Sequence, residues 1–204
     1  MGKKIFLTGI GTEIGKTFCS AIVVEALKAD YWKPVQAGEL DQLDSSWVKA
    51  AISNGKSQFH PEQYLLTEPM SPHAAAKIDG IKLIPADFKV PETDNILVIE
   101  GAGGLMVPLN HDGDMLIDLI AAVADEVILI SKNYLGSINH TLLSVEVLKQ
   151  RNIPIKGIIF NGEPNPETEA IILKTTGLKC LGKVPMLDQE LKSFVKEQGA
   201  KLDL

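Results

Sequence analysis

The chain has little cysteine: Cys19 and Cys180 are the two thiols in 204 residues. Their spacing matches no metal site, and both stand in apolar stretches. That reads as small buried residues in a reducing cytosol, not as a disulfide framework. No apolar run approaches the roughly 20 residues that cross a bilayer. The first apolar stretch, from Ile5, runs into a glycine-rich turn and not toward a cleavage site, so the expectation is a cytoplasmic protein without a signal peptide. His60, His73, His111 and His140 form no metal-spaced set and read as structural or solvated. Internal repeats, low-complexity tracts and linkers are missing too. Basic residues are outnumbered, and the net charge of -6 speaks against a broad nucleic-acid surface. It still allows a local pocket of lysines for a small anion.

What is present is ordinary for a globular protein: 45% hydrophobic and 23% charged residues, enough for one domain over residues 1–204. The apolar runs are continuous, as in strands covered on both faces. They predict strands at Lys3–Thr8, Tyr31–Val35, Ile96–Ile99, Glu126–Ser131, Ile155–Phe160 and Lys179–Val184. Helical patterns fall between them, at Lys16–Lys28, Asp44–Ser53, Met115–Ala124, His140–Arg151, Pro166–Thr175 and Leu187–Gln198. Residues 54–92, rich in proline, read as loops with a short helical piece near His73–Lys77. The alternation predicts an α/β fold, a doubly wound and mostly parallel sheet.

In such sheets ligands bind beyond the carboxyl ends of the strands. Polar and glycine-rich residues cluster there: Gly9–Thr17, Lys33-Pro34, Glu100 through Gly104, Asn133 through Asn139, Asn161-Gly162 and Pro185. The strongest signal is Gly9-Ile10-Gly11-Thr12-Glu13-Ile14-Gly15-Lys16-Thr17, between a strand and a helix. Its glycines let backbone N–H groups turn toward phosphate oxygens, and the helix adds its positive N-terminal end. Lys16 can reach outer phosphates and the Thr17 hydroxyl a magnesium ion. The strict spacing places glycine where Ile10 stands, so this is a variant P-loop. Glu100 ends a buried strand and can bind the same metal directly or through water. Lys33 at a strand end is costly to bury unless it meets an anion. Asn139 reads as a helix-start residue, suited to hold a carboxylate.

Taken together, these residues resemble the dethiobiotin synthetase family. The likeness runs in order through Gly9–Thr17, Lys33-Pro34-Val35, Ser71-Pro72-His73, Glu100 through Gly104, Gly136 through His140, Asn161 and Val184-Pro185. It implies a P-loop NTPase-like fold and a cyclo-ligase using MgATP, CO2 or bicarbonate, and 7,8-diaminononanoate. Thr12, Lys16 and Lys33 would surround the reacting groups. Gly11, Thr12, Glu13, Ile14, Gly15, Lys16, Thr17 and Phe18 would hold ATP with Glu100, Gly101 and Gly103. Asn161, Pro185 and Met186 would meet the adenine. Thr12, Lys33 and Ala37 would face the substrate, whose carboxylate would meet Gly136, Ser137, Ile138 and Asn139 of the other subunit of a homodimer. Thr17 and Glu100 would hold magnesium.

Two positions depart from the pattern. Ala37 stands where the family carries Ser or Thr. The most natural register puts Ser46 on the metal-binding aspartate, so either Asp44 takes that role by a local shift or the metal loses a carboxylate. Two rivals share the loop and sheet. Cobyrinate-type amide synthetases need a further glutaminase domain for which this chain has no room. ParA/MinD-like switch ATPases carry a second P-loop lysine, and a basic surface or membrane tail, that this chain lacks.

Overall fold

Five consecutive buried residues after Lys4 explain the first strand, β1 (Lys4–Gly9), which lies in the middle of the sheet. The computed structural model describes residues 2–204. Helix α1 (Lys16–Leu27) follows the glycine loop, then β2 (Asp30–Trp32), β3 (Val35–Ala37) and α2 (Asp44–Ala51). Short strands β4 (Phe59–His60) and β5 (Tyr64–Leu66), helix α3 (Pro72–Ile78) and a 3-10 turn at Pro85–Asp87 come next. The second half holds β6 (Leu97–Gly104), α4 (Leu116–Val123), β7 (Glu126–Lys132), α5 (Ser137–Gln150), β8 (Ile155–Asn161), α6 (Pro166–Thr176), β9 (Cys180–Val184) and α7 (Leu191–Lys201).

The main sheet runs β4-β2-β6-β1-β7-β8-β9, and every neighbouring pair is parallel. Side chains alternate across it, as the strand period requires. Ile5 and Leu7 enter one core with Ile22, Val23 and Phe194 of the helices α1 and α7. Phe6 enters the other, with Leu116, Ile117 and Ile120 of α4 and Ala75 and Ala76 of α3. The expected doubly wound α/β fold is therefore present, with helices on both faces. Cys19 and Cys180 are free thiols. Burial pushes the Cys19 thiol well above its usual range, which makes it inert. Among the described residues, no helix is long and apolar enough to cross a membrane.

The structure corrects several of the expected elements. Tyr31–Val35 is not one strand: it breaks at Lys33-Pro34, because proline has no N–H for the ladder. β3 then leaves the main sheet and pairs with β5. Residues 54–92 are not only loops, since β4 extends the sheet beside β2. Helix α5 begins at Ser137, not His140, after Gly136 in a left-handed conformation at φ 104°. Helix α7 begins at Leu191, not Leu187, because the Glu190 carboxylate accepts from the N–H groups of Lys192 and Ser193.

β8 and β9 lie so close that a methyl group added at Gly157 would stand 2.5 Å from the Lys179 carbonyl oxygen and 2.7 Å from Leu181 Cγ. Backbone cannot yield as a flexible side chain does. Gly157→Ala is expected to destabilise the protein by about 1–3 kcal/mol, measured by urea unfolding. An unchanged midpoint would contradict this packing.

Candidate functional site

The glycine loop takes its shape from two left-handed residues, Glu13 (φ 55°) and Gly15 (φ 84°). Gly15 tolerates no side chain: a Cβ there would lie 2.2 Å from the Asn161 amide nitrogen. That nitrogen donates to the Ile14 carbonyl at 2.8 Å, tying the end of β8 to the loop. Lys16 opens α1, is nearly buried at 9% exposure, and donates from Nζ to the Gly11 carbonyl at 3.0 Å. Ile14 serves the loop through its backbone alone, since its side chain packs into the core.

Strand register brings the remaining charges together. Trp32 pairs with Ile99, so the next residues, Lys33 and Glu100, meet where β2 ends. Glu100 lies within β6, which continues to Gly104 and does not stop at Ile99 as expected. The carboxylate of Glu100 is 1% exposed. Its Oε1 accepts from the Thr17 hydroxyl at 2.7 Å and from Lys33 Nζ at 3.1 Å, and its Oε2 accepts from the Tyr31 hydroxyl at 2.8 Å. Lys33 also bonds to Asp44, the first residue of α2. Asp44 is thus the carboxylate at this cluster, whereas Ser46 is exposed. Of the two alternatives, the turn of α2 brings Asp44 to Lys33.

Burial by itself would raise the Glu100 carboxyl, but Lys33 first, with Thr17 and Tyr31, holds it below its ordinary value. Burial would likewise lower Lys33, yet the charges of Glu100 and Asp44 reverse this and leave its ammonium raised. Lys16 is different. Burial lowers it, Lys33 repels it, and Glu100 and Asp44 only partly compensate. Tyr31 is pushed well above its usual range by burial and by Glu100, so its hydroxyl keeps its proton and donates.

These groups face a cleft of about 770 Å³. Thr12, Glu13, Gly15, Lys16, Thr17, Phe18, Lys33, Ala37, Asp44, Glu100, Gly101 and Gly103 all line it. Asn161, Pro185, Met186 and Gly136 through Asn139 do not. Gly162 follows Asn161, and its position is near Lys132 and Met186, with a Cβ there 4.0 Å from the Met186 sulfur. Asn161 and Gly162 thus stand beside the loop at Ile14, with Lys132 and Met186 next to them. Asn139 sits inside the first turn of α5, exposed, and not at its cap. A smaller recess joins the loop to Lys132, Tyr134 and His140. Sequence reasoning missed Tyr31, Gln36, Trp47 and Met70. Gln36 had a readable signal, a polar residue in an apolar strand directly after Lys33-Pro34-Val35. Tyr31 and Trp47 had none, because each looks like core or surface until the register is known.

The family described as AAA domain matches residues 3–191. The chain is 56% identical to the ATP-dependent dethiobiotin synthetase BioD of Christiangramia forsetii, over 98% of this chain and 96% of that one. It is 51% identical to the ATP-dependent dethiobiotin synthetase BioD of Cytophaga hutchinsonii, over 98% and 97%. Among solved structures, the cell division ATPase MinD of Pyrococcus furiosus is similar at TM-score 0.56 and 15% identity, over 98% of each chain. That last likeness speaks for the fold alone.

Asn161 anchors the loop by one neutral hydrogen bond. Asn161→Ala is expected to cost about 1 kcal/mol of stability and to weaken ATP binding, read by thermal unfolding and calorimetry. Unchanged ATP affinity would show that the loop holds its shape without this tie.

Proposed function

The chain belongs to the ATP-dependent dethiobiotin synthetase family, and from that premise we propose how its residues divide the work. The protein is an ATP-dependent ligase of biotin biosynthesis. The observation that carries the residue assignment is the cluster of buried Lys16, Lys33 and Glu100 with half-buried Thr17 and Asp44 on one wall of the cleft beside the glycine loop. In this reading one amine of 7,8-diaminononanoate adds to CO2, loses a proton and becomes a carbamate. The carbamate oxygen takes the γ-phosphoryl group of ATP, and ADP leaves. The second amine then attacks the carbamoyl carbon and expels phosphate, closing the cyclic urea of dethiobiotin.

Each chemical step places negative charge where fixed cations are needed. Lys16 holds the outer phosphates, with Gly11 through Phe18 supplying the backbone cradle. Lys33 meets the carbamate and the phosphoryl group entering it. Thr12 lies at the loop's cleft side, within the same wall. Thr17, Glu100 and Asp44 are hard oxygen donors, suited to a magnesium ion that keeps waters and phosphate oxygens as its other ligands. Among the described residues no group of three or more His, Cys, Asp or Glu could hold a metal ion, which suits magnesium carried on a nucleotide better than a closed cage. Bound magnesium would offset phosphate charge. Asn161, Pro185 and Met186 are assigned to the adenine.

The assignment of the substrate carboxylate needs a second copy. Gly136, Ser137, Ile138 and Asn139 lie outside the cleft of their own chain, while Tyr134, Leu135, Ile138 and Leu143 expose apolar surface around them. That supports a homodimer in which one chain's α5 start reaches its partner's cleft. The whole of residues 1–204 acts as one catalytic domain in the cytoplasm, with small molecules as its substrates and neither nucleic acid nor membrane as a partner.

Phosphate release is expected to require the diamine, with dethiobiotin formed in equal amount. Release that ignores the diamine would overturn the ligase reading in favour of a switch ATPase. Lys33→Ala should leave ATP affinity nearly intact and lower product formation by about 10²–10³, the scale of losing one preorganised charge at a reacting centre. Lys33→Arg should fail as well, since guanidinium is larger and spreads its charge. Calorimetry and product assay on each variant decide: a joint fall moves Lys33 to the nucleotide site, and no fall removes it from the chemistry.

A further inference from the structure

The donors to the Glu100 carboxylate divide unequally between its two oxygens. Oε1 accepts from the Thr17 hydroxyl at 2.7 Å and from Lys33 Nζ at 3.1 Å. Both residues line the cleft, and both are assigned other tasks once ligands arrive, Thr17 to magnesium and Lys33 to the carbamate. Oε2 accepts from the Tyr31 hydroxyl at 2.8 Å. Tyr31 differs from the other two: it has no exposed surface and is not part of the cleft lining. Its ring shares the core with Ile22, Val23 and Val98, and its centroid lies 5.7 Å from that of Phe59. The ladder places it there. Tyr31 pairs with Val98, so Glu100, two residues on along β6, lies diagonally across on the same face. A donor packed in this way stays on Oε2 whatever enters the cleft.

A carboxylate with one oxygen so held has one oxygen to offer a metal. Magnesium demands a compact octahedral shell and keeps several waters, which suits ligands that give one oxygen each. Calcium takes a larger and looser shell and often uses both oxygens of a carboxylate. We propose that Tyr31 is a positioning residue: by holding Oε2 it presents Glu100 to the metal through Oε1 alone, and so favours magnesium over calcium. The inference rests on the magnesium assignment above. Tyr31 touches neither nucleotide nor substrate in this reading and acts only through Glu100. Without its hydroxyl the carboxylate would be free to turn, and Oε1 would no longer be kept beside Thr17. Partners of this kind behind a metal ligand matter to affinity because they fix the ligand's orientation.

The test is calorimetry of ADP binding to the full-length protein, in EDTA, in magnesium chloride and in calcium chloride. Tyr31→Phe keeps the ring and removes the hydroxyl. In the wild type magnesium is expected to raise ADP affinity more than calcium does. In Tyr31→Phe the affinity for ADP in EDTA should be unchanged. The magnesium concentration that gives half of the gain should rise about 10- to 100-fold, and the lead of magnesium over calcium should narrow. A half-gain concentration that does not move overturns the proposal. So does an equal fall in ADP affinity with and without magnesium, which would make Tyr31 a packing residue beneath the loop. If Tyr31→Phe does not fold, the wild type decides: a lead of magnesium supports the one-oxygen arrangement, and an equal response to calcium overturns it. A wild type whose ADP affinity ignores both ions removes the magnesium assignment itself, and this inference with it.

Discussion

Everything at the site hangs on the burial of one carboxylate, Glu100. A charge at 1% exposure is expensive unless its oxygens are fully engaged. Here Thr17 of α1, Tyr31 of β2 and Lys33 at the end of β2 supply those bonds, and Lys33 carries the link on to Asp44 of α2. One residue thus fixes the relative placement of the glycine loop, the broken strand and the second helix. The pairing also explains why a lysine can lie nearly buried at the end of an apolar strand.

The break after Lys33 is the second constraint. Had β2 run on to Val35, β3 would have stayed in the main sheet. Pro34 removes the N–H that would continue the ladder, while its carbonyl accepts from the N–H groups of Gln63 and Tyr64. β3 is thereby joined to β5 and forms part of the cleft wall with Gln36 and Ala37. The loop Pro69–Pro72 and Trp47 complete that wall. Distance from the sheet is what turns a strand end into a cavity.

What could be read from the chain alone follows from the range of the interactions involved. The glycine loop, Lys33 and Glu100 were legible because local chemistry marks them: glycines before a helix, charges at the ends of apolar runs. The doubly wound sheet was legible for the same reason, in its continuous apolar strands. β4 and β5 were not, since two- or three-residue strands carry no period and exist only because β2 and β3 offer edges. The start of α5 was placed late because Gly136, reading as a loop residue, opens the helix in a left-handed conformation. Asp44 against Ser46 could not be settled by spacing, because the turn of α2 decides which side chain reaches Lys33. Tyr31 and Trp47 were invisible until register and the Phe18–Trp47 ring contact at 6.1 Å placed them.

The charges within the cleft then bear on what it can admit. Lys16 and Lys33 are matched by Asp44 and Glu100, while Glu13 and Glu39 also line the cleft and leave its lining net negative. A bare triphosphate entering it would gain two lysines but face two carboxylates at the same wall. At a separation of 4 Å and an effective dielectric near 20, each unfavourable pair costs about 4 kcal/mol, as much as each favourable pair returns. Attraction needs the carboxylates to be occupied by a cation other than Lys33, so that both ammonium groups are free for phosphate and carbamate. A divalent cation arriving with the nucleotide would meet that condition: Asp44 and Glu100 would hold it, leaving Lys16 and Lys33 for anionic oxygens. The same arithmetic explains why a neutral amide at position 36 is compatible with the site. A carboxylate there would add to the negative charge that Glu13 and Glu39 already bring to the lining.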